Sequence, residues 1–279
     1  MSPLTLHAPA KLNLSLRVLR KRDDGFHEID SLLIKLPGLH DVLTFEPGKR
    51  FSFACNDPAL PADEGNLVVA AVRAYEQAAK VSCTCGITLE KRIPHGAGLG
   101  GGSSDAATTL KALDQLHDGR LGLPGLESLA ATLGSDVPCF LRDGAVRCTG
   151  RGEVVQDAET PPPLRVLLLK PWFEVLTPDA YARWQDSEAL PSIDEREQEV
   201  DGVRIVNDLE RPVFGKHRFL AELKQWLLAR EETRAAFLCG SGSAMAAVLH
   251  EDADAGNLAR CARHELDPGL WHWSGSTGT

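Results

Sequence analysis

A glycine-rich stretch followed by hydroxyl and carboxyl residues carries the clearest chemistry in the chain. Five of the seven residues from Gly96 to Gly102 are glycine, and Ser103, Ser104 and Asp105 come next. Glycine has no Cβ, so this backbone can adopt positive φ and let a ligand approach its N–H groups. A helix that begins near Ser103 would add its unpaired N-terminal amides and the positive end of its dipole. The stretch is therefore predicted to bind the phosphates of a nucleoside triphosphate.

Other phosphate-binding motifs fit this stretch only in part. A GxGxxG pattern starts at Gly96, but the dinucleotide-binding form needs an acidic residue at the end of the next strand. Asp118 lies near the required distance without a strand to carry it. Gly102 runs directly into Ser103, so the P-loop lysine is missing, and the VAIK, HRD and DFG elements of protein kinases are absent. A dinucleotide-dependent oxidoreductase remains an alternative.

Two further pairs of residues lie where they can point at a ligand. Lys11 and Asn13 alternate with leucines over Lys11–Val18, which predicts a strand with both polar side chains on one face, about 7 Å apart. Phe26 and His27 follow an Asp-Asp-Gly turn, where a ring and an imidazole can hold a flat base. Solvent exposure of the polar face and core packing of Phe26 are the alternatives.

Local signals predict the elements that position these residues. Asn66 is predicted to cap a helix that runs to Ala79, and Ile87–Arg92 is predicted to be a strand that leads into the glycine stretch. An Asp-Gly turn predicts a hairpin between strands over Cys139–Arg142 and Ala145–Thr149.

Composition limits the class of protein. The 279 residues suffice for one large or two smaller domains, and a run of three prolines at Pro161–Pro163 predicts domains 1–160 and 161–279. A net charge of −9 argues against a nonspecific nucleic-acid partner. The chain has no apolar run of 18 residues and no signal-peptide pattern, so no membrane partner and a cytoplasmic location are expected. The seven scattered cysteines fit reduced thiols, and the acidic stretch 185–202 fits a solvated loop.

Three stretches resemble the motifs of the GHMP kinases, the superfamily of galactokinase, homoserine, mevalonate and phosphomevalonate kinases. Pro9–Leu14 is similar to the first motif, Pro94–Ser104 to the second and Gly240–Ser243 to the third. The Asp-Gly-aromatic-His sequence at residues 24–27 and the sequence GSDVPCF at 134–140 narrow the resemblance. They point to members that phosphorylate an alcohol carrying a cytidine diphosphate in isoprenoid biosynthesis.

The resemblance implies an α+β fold of two domains, a ribosomal-protein-S5-like N-terminal domain and a ferredoxin-like C-terminal domain. ATP, Mg²⁺ and the acceptor would meet between them. The ATP-binding residues that it implies are Pro94, His95, Gly96, Ala97, Gly98, Leu99, Gly100, Gly101, Gly102, Ser103 and Ser104. Asn66 and Lys91 are weaker candidates for the adenosine side, because a helix cap and a surface lysine explain them equally well. Ser103 or Ser104 is a candidate Mg²⁺ ligand, and the spacing does not choose between them.

The resemblance also implies two catalytic residues, Asp136 and Lys11. Phosphoryl transfer to an alcohol needs a positioned hydroxyl, a base and neutralisation of charge on the γ-phosphate. Asp136 comes just after a predicted helix end, where a carboxylate can point into a cleft, and it is predicted to be the base. Lys11 would pair with Asp136 and offset the charge that develops on the transferred group. An exposed aspartate at a helix end is the alternative.

On the acceptor side, Phe26 is predicted to stack on cytosine, with hydrogen bonds from His27 and Asn13 to the polar edge of the base. The family usually has tyrosine at the position of Phe26; phenylalanine keeps the ring for stacking but lacks the hydroxyl and its hydrogen bond. His95 also departs from the family, where methionine is common.

Thr177 and Pro178 resemble the substrate-side turn of the family and are predicted to open a helix, with Thr177 as its N-cap. The acceptor is predicted to be a small molecule that bears a cytidine diphosphate, and the protein a monomer or a homodimer. A homoserine- or mevalonate-type kinase and a non-catalytic nucleotide-binding protein of the same fold are the alternatives.

Overall fold

The structure is a computed structural model that describes residues 2–191, 193 and 196–278. The strands are β1 (Leu4–Lys21), β2 (His27–Pro47), β3 (Ser52–Cys55), β4 (Cys85–Glu90), β5 (Ala145–Gly150), β6 (Val154–Ala158), β7 (Arg165–Lys170), β8 (Gln198–Val200), β9 (Val203–Asn207), β10 (Thr233–Leu238), β11 (Met245–Leu249) and β12 (Trp271–Ser276). The α-helices are α1 (Leu67–Ala79), α2 (Gly101–Leu116), α3 (Gly122–Leu133), α4 (Thr177–Trp184), α5 (Glu210–Lys216), α6 (Arg218–Leu228) and α7 (Ala255–Glu265).

The strands form two sheets, which confirms the predicted α+β class. The larger sheet runs β3-β4-β2-β1-β9-β8, with β5 beside β2 and β6 beside β5. The smaller sheet runs β10-β11-β7-β12. β9 lies parallel to β1 and pairs Val206 and Asn207 with Ser15 and Leu16. Because β8 and β9 follow the three prolines yet extend the larger sheet, the sheets do not divide at residue 160, and the two predicted domains stay a prediction.

The buried side chains form layers in the order helices, sheet, sheet, helices. On one outer side, α1, α2 and α3 pack on β2 and β4, around Phe45 and Leu89. Leu12 and Leu14 of β1 share a cluster with Leu168 and Phe237 of the smaller sheet, so the two sheets pack against each other. On the other outer side, α5, α6 and α7 cover the smaller sheet. No helix among the described residues is long and apolar enough to cross a lipid bilayer.

β1 is the strand that its sequence predicts, extended at both ends. Leu12 and Leu14 are buried on its apolar face, whereas Leu16, after a shift in register with β2, packs in a different cluster with Ile29 and Leu209. Lys11 and Asn13, on the polar face, are only 3% and 5% exposed. The alternative of a solvent-facing polar surface is therefore wrong at these two residues, which makes them candidates for a built site.

The helix starts near the glycine stretch are only partly as predicted. Asn66 caps α1, because its Oδ1 accepts a hydrogen bond from the Val68 amide at 3.0 Å, and the helix ends at Ala79 as predicted. α2, in contrast, begins at Gly101 and not near Ser103. Gly100, in the left-handed region with φ +72°, takes the cap position without a side chain.

Three other predictions of local structure need correction. The residues before the Asp-Gly turn form a short 3₁₀ helix, Pro138–Leu141, and not a hairpin strand. Proline has no N–H for a sheet and fixes φ at a helical value, which favours this outcome. The predicted strand Ile87–Arg92 ends at Glu90. Of the acidic stretch 185–202, residues 192, 194 and 195 lie outside the described residues, and 198–200 form β8.

The loop between β10 and β11 packs backbone to backbone against the glycine stretch. The amides of Ser243 and Ala244 donate to the carbonyls of Gly96 and Ala97, each at 3.1 Å. A Cβ added to Gly98, whose φ is +75°, would lie 1.9 Å from the Cys239 carbonyl oxygen. The third motif thus lets the C-terminal part of the chain approach the glycine stretch without intervening side chains.

We expect Gly98→Ala to destabilise the protein by about 3 kcal/mol or more, because overpacking against backbone adds to the strain of a left-handed alanine. Gly102→Ala is the matched control. Its Cβ would meet only Leu67 Cδ1, at 3.5 Å, in the first turn of α2. Alanine is the better helix former, so this variant should be as stable as the wild type or more stable. Urea unfolding measures both, and equal stabilities of the two variants would contradict the packing described.

Candidate active site

A cavity of about 820 Å³ lies where the two loops meet β1 and α4. All residues that the sequence predicts for the site line it, with the exception of Ser104. The volume is in the range of cavities that bind small molecules. Residues from distant parts of the chain are therefore brought to one place.

The glycine stretch has the geometry of an anion site. Gly96, Gly98 and Gly100 all have positive φ, of +61°, +75° and +72°. The first-turn amides of α2 have no partner within the helix, as at any helix start, and Gly100 supplies no side chain to cap them. Backbone N–H groups and the helix dipole therefore face the cavity with a net attraction for anions.

The two serines that follow differ in access to the cavity. Ser103 lines it, whereas the hydroxyl oxygen of Ser104 is buried and has no hydrogen-bond partner among the described residues. Among all residues that the structure describes, no three His, Cys, Asp or Glu side chains are grouped so that they could bind a metal ion. Of the two serines, Ser103 therefore has the hydroxyl that is better placed for a ligand in the cavity.

Lys11 and Asp136 meet at the centre of the cavity wall. Lys11 Nζ lies 3.6 Å from Asp136 Oδ2, and the two side chains are 3% and 40% exposed. Asp136 lies in the turn between α3 and the 3₁₀ helix. A half-exposed carboxylate beside a buried ammonium group can accept a proton from a bound ligand, and the ammonium can face a phosphate.

Two glycines make room for the Lys11 side chain. A Cβ on Gly100 would lie 2.9 Å from Lys11 Cγ, and a Cβ on Gly240 would lie 3.1 Å from Lys11 Nζ. The Lys11 amide also donates to the Leu99 carbonyl at 3.0 Å. Lys11 thus runs beneath both loops, which fixes its ammonium group next to the anion site.

Aromatic side chains gather at the end of the cavity near Asp136. His27 is 5.4 Å from Tyr181 and 5.9 Å from Trp184 between ring centroids. Burial, with a smaller effect of Lys21, lowers the pKa of His27 below 6.5, so the imidazole is neutral at pH 7 and offers both a donor and an acceptor. Burial and the nearby negative charge of Asp136 raise the pKa of Tyr181, which keeps its hydroxyl protonated.

Phe26 lies at the mouth of the same end and is 48% exposed. The Arg151 guanidinium lies 4.9 Å from its ring centroid, within the range of a cation–π contact. The backbone turn before Phe26 is held by Asp24, whose carboxylate accepts from the Phe26 amide at 3.1 Å. Phe26 therefore presents an aromatic face at the cavity and is not part of the core.

Asn66 and Lys91 line the cavity but are also engaged in the fold. The Asn66 amide caps α1 and donates to the Pro61 carbonyl at 3.0 Å. Lys91 is not a surface residue: its ammonium group lies between the buried carboxylates of Asp41 and Asp105, 2.8 Å from Asp105. Both residues therefore line the cavity wall, and the polar groups of both already have partners within the protein.

Two contacts join the C-terminal part of the chain to the cavity rim. Thr177 is the first residue of α4 and not its cap, which is Leu176. The Thr177 hydroxyl instead bonds to that of Ser241 at 2.7 Å and links α4 to the third motif. The His95 imidazole pairs with the Glu174 carboxylate over the glycine stretch.

Sequence reasoning missed several residues of this site. Tyr181 lies one helical turn after Thr177, so i, i+4 spacing on the predicted helix would have pointed to it. Arg151 stands between two glycines in the turn from β5 to β6, which carries no chemical signal by itself. Asn207 is also missed, although its side-chain amide donates to the carbonyls of Leu238 and Gly240 and so holds the third motif.

The fold and this site define a GHMP kinase, and residues 66–144 match the family described as GHMP kinases N terminal domain. A 4-diphosphocytidyl-2-C-methyl-D-erythritol kinase from Caldanaerobacter subterraneus is 37% identical over 273 residues, 94% of this chain and 92% of that protein. The chain belongs to the 4-diphosphocytidyl-2-C-methyl-D-erythritol kinase family.

Two further relatives agree with this assignment. A solved structure of a 4-(cytidine 5'-diphospho)-2C-methyl-D-erythritol kinase has a TM-score of 0.77 and 33% identity, and the match covers 98% of both chains. The chloroplastic/chromoplastic enzyme from Solanum lycopersicum is 38% identical over 90% of this chain. The chain spans 66% of the length of that plant relative, slightly less than two thirds.

The buried carboxylate of Asp105 gives a test of the cavity wall. Burial, reinforced by Asp41 and opposed by Lys91, raises the pKa of Asp105 from 3.8 to about 7. The folded protein then holds this proton up to about pH 7, whereas the unfolded chain releases it near pH 4. Stability from this group is present below pH 4 and is lost as the pH rises through 7.

Asparagine at position 105 cannot titrate, so only the wild type loses the stability that comes from this group as the pH rises. The free energy of unfolding of Asp105→Asn, relative to that of the wild type, should therefore rise by about 2 kcal/mol between pH 5 and pH 8. Urea unfolding at intervals over this range measures the difference. Asp143→Asn, at an exposed position, is the control and should follow the wild type. An unchanged difference between Asp105→Asn and wild type would show that Asp105 is ionised in the folded protein throughout.

Proposed function

We propose that the protein transfers the γ-phosphate of ATP to the 2-hydroxyl of 4-diphosphocytidyl-2-C-methyl-D-erythritol, in non-mevalonate isoprenoid synthesis. The observation that carries the proposal is the order of groups along one cavity. The anion site at Gly100 adjoins Lys11, Lys11 pairs with Asp136 at 3.6 Å, and the aromatic end follows. The names of the relatives support the same acceptor.

The nucleotide is held mainly by backbone groups in this proposal. The amides of residues 96–103 face the phosphates, and the left-handed glycines let them come close, whereas the Ser104 amide donates to the Gly100 carbonyl. Mg²⁺, when bound with the nucleotide, neutralises charge on the β- and γ-phosphates, and Ser103 is the side chain placed to hold it. Asn66 and Lys91 lie at the wall on the adenosine side.

Asp136 acts as the base for the acceptor hydroxyl. It takes the hydroxyl proton as the oxygen forms its bond to the γ-phosphorus, and the bond from that phosphorus to the β–γ bridging oxygen breaks to release ADP. Lys11, 3.6 Å from the carboxylate, keeps it oriented and offsets charge on the transferred group. Both groups come from rigid elements, β1 and the turn that follows α3.

The cytosine of the acceptor binds at the aromatic end. Phe26 presents an exposed ring face, and Tyr181 lies beside His27 at the other wall. A neutral His27 supplies a donor and an acceptor to the polar edge of the base. Asn13 is engaged with Lys11, and a free N–H of its amide remains for the acceptor. Thr177 and Pro178 form the rim on this side.

Asp136→Asn removes the base but keeps the size of the side chain. We expect kcat to fall about 100-fold or more, and Lys11→Met to give a comparable loss, because both act on the transition state. Binding of a nonhydrolysable ATP analogue, measured by calorimetry, should change little in either variant. Asp143→Asn, an exposed carboxylate of the same region, is the control with normal turnover. Near-normal turnover of Asp136→Asn would refute the base assignment.

The acceptor is identified by ADP release with ATP, Mg²⁺ and one alcohol at a time. Turnover is expected with 4-diphosphocytidyl-2-C-methyl-D-erythritol and not with homoserine or mevalonate, since neither carries a base to stack. Phe26→Ala should raise KM for the cytidine substrate about tenfold or more without changing KM for ATP. Leu19→Ala, at a more exposed apolar residue outside the cavity, is the control. ADP release with only homoserine or mevalonate would show that the protein catalyses another GHMP kinase reaction. No ADP release with any alcohol would indicate a nucleotide-binding protein without kinase activity.

A further inference from the structure

β1 contains a bulge directly after the residues that line the active-site cavity. The register with β2 pairs Asn13 with Leu33 but Ser15 with Leu32, so Leu14 is an extra residue. The Ser15 hydroxyl accepts from the Leu32 amide at 3.1 Å and replaces a ladder bond. The Ser15 carbonyl instead accepts from the Ser31 hydroxyl, at 2.7 Å. Bulges of this kind commonly re-aim side chains beside active sites.

A chain of hydrogen bonds leads from this bulge to the ammonium group of Lys11. The Asn13 side chain donates through Nδ2 to Ser31 Oγ at 2.8 Å and accepts through Oδ1 from Lys11 Nζ at 2.5 Å. Ser31, Asn13 and Lys11 are 1%, 5% and 3% exposed. All three side chains are therefore almost fully buried and bond to one another.

The Ser31 hydroxyl sets the donor and the acceptor of each hydrogen bond in this series. A serine hydroxyl has one proton, and Ser31 gives it to the Ser15 carbonyl, which can only accept. Ser31 Oγ can then only accept from Asn13, so the amide must turn Nδ2 toward Ser31 and Oδ1 toward Lys11. A flipped amide would set NH₂ against an ammonium group and oxygen against a hydroxyl without a free proton.

We infer that Ser31 is a positioning residue, which fixes the amide orientation of Asn13 and through it the place of the Lys11 ammonium group beside Asp136. Ser31 does not touch the reacting groups. Because Lys11 is buried, a neutral amide oxygen at 2.5 Å holds its charge without cancelling it, and the ammonium stays available to a phosphate. The expected effect of Ser31 on kcat rests on the proposed phosphoryl transfer, whereas its effect on the Asn13 side chain does not.

The kinetic test compares variants of the two serines of the bulge. Ser31→Ala leaves Asn13 Nδ2 without its partner and frees the side chain to move away from Lys11, so kcat should fall about tenfold while KM for ATP changes less than about twofold. Ser31→Thr keeps the hydroxyl and should restore most of kcat. Ser15→Ala loses a hydrogen bond of the same bulge that does not reach Asn13, and it should keep kcat within about twofold.

A double variant separates positioning from general loosening of the sheet. If Ser31 acts through Asn13, then Ser31→Ala added to Asn13→Ala lowers kcat no further than Asn13→Ala alone. Additive losses, a wild-type kcat in Ser31→Ala, or a rise in KM with kcat intact would each overturn the inference.

A readout without turnover keeps this test apart from the choice of acceptor. In protein labelled with ¹⁵N asparagine, the Asn13 side-chain NH₂ signals are those lost in Asn13→Ala. They should shift and exchange faster with water in Ser31→Ala and stay in place in Ser15→Ala. Unchanged signals in Ser31→Ala would overturn the inference even if kcat falls. If no alcohol is phosphorylated, the proposed function fails, and these signals still decide the role of Ser31.

Discussion

The Cys239 carbonyl oxygen lies where Gly98 would carry a Cβ, and this backbone contact sets the shape of the whole site. It joins the loop before α2, which follows β4 of the larger sheet, to the loop between β10 and β11 of the smaller sheet. Amides of Ser243 and Ala244 add two hydrogen bonds across the same contact. With no side chain between them, the two loops have little freedom to separate, so the distance from the anion site to Lys11 is fixed by main chain on both sides.

Lys11 and Lys91 both line the cavity, and they differ in how their charges are compensated. Lys91 lies between two buried carboxylates, and together these raise its pKa against the effect of burial. Its charge is thus already compensated inside the fold, so this group belongs to the architecture. Lys11 has a neutral amide oxygen at 2.5 Å and a half-exposed carboxylate at 3.6 Å. Its charge is less fully compensated and keeps more attraction for an anion.

Short-range patterns in the sequence predicted the elements that carry the site. Period-two alternation predicted β1, and one asparagine predicted the start of α1, because both depend on neighbours along the chain. The start of α2 was misplaced because Gly100, in a left-handed conformation, takes the cap position that a polar residue was expected to take. The predicted hairpin strand failed at Pro138, where local backbone restriction outweighs a turn signal. The family motifs then supplied the set of site residues, whose individual roles stay predictions.

Residues that depend on tertiary contacts were beyond the reach of these patterns. Ser31 stands in a strand without any local signal, and only the bulge opposite it turns its hydroxyl into a donor for the Ser15 carbonyl. Arg151 matters through its place over Phe26, more than a hundred residues away along the chain. The proline at the start of the 3₁₀ helix is readable in sequence, but the placement of Asp136 just before it, at the cavity, depends on how α3 packs.

The cavity divides recognition between backbone and side chains, and this division limits what can vary. Main-chain amides and left-handed glycines form the proposed phosphate site, and few substitutions there leave room for the loop of the third motif. The proposed acceptor end consists of side chains on the turn before β2 and on α4, where substitutions need not disturb the loops. Phenylalanine at Phe26 illustrates the point. The Phe26 ring still offers a flat aromatic surface, with the Arg151 guanidinium 4.9 Å from its centroid. The neutral imidazole of the next residue, His27, offers hydrogen bonds. Stacking on a base needs that surface and not a hydroxyl.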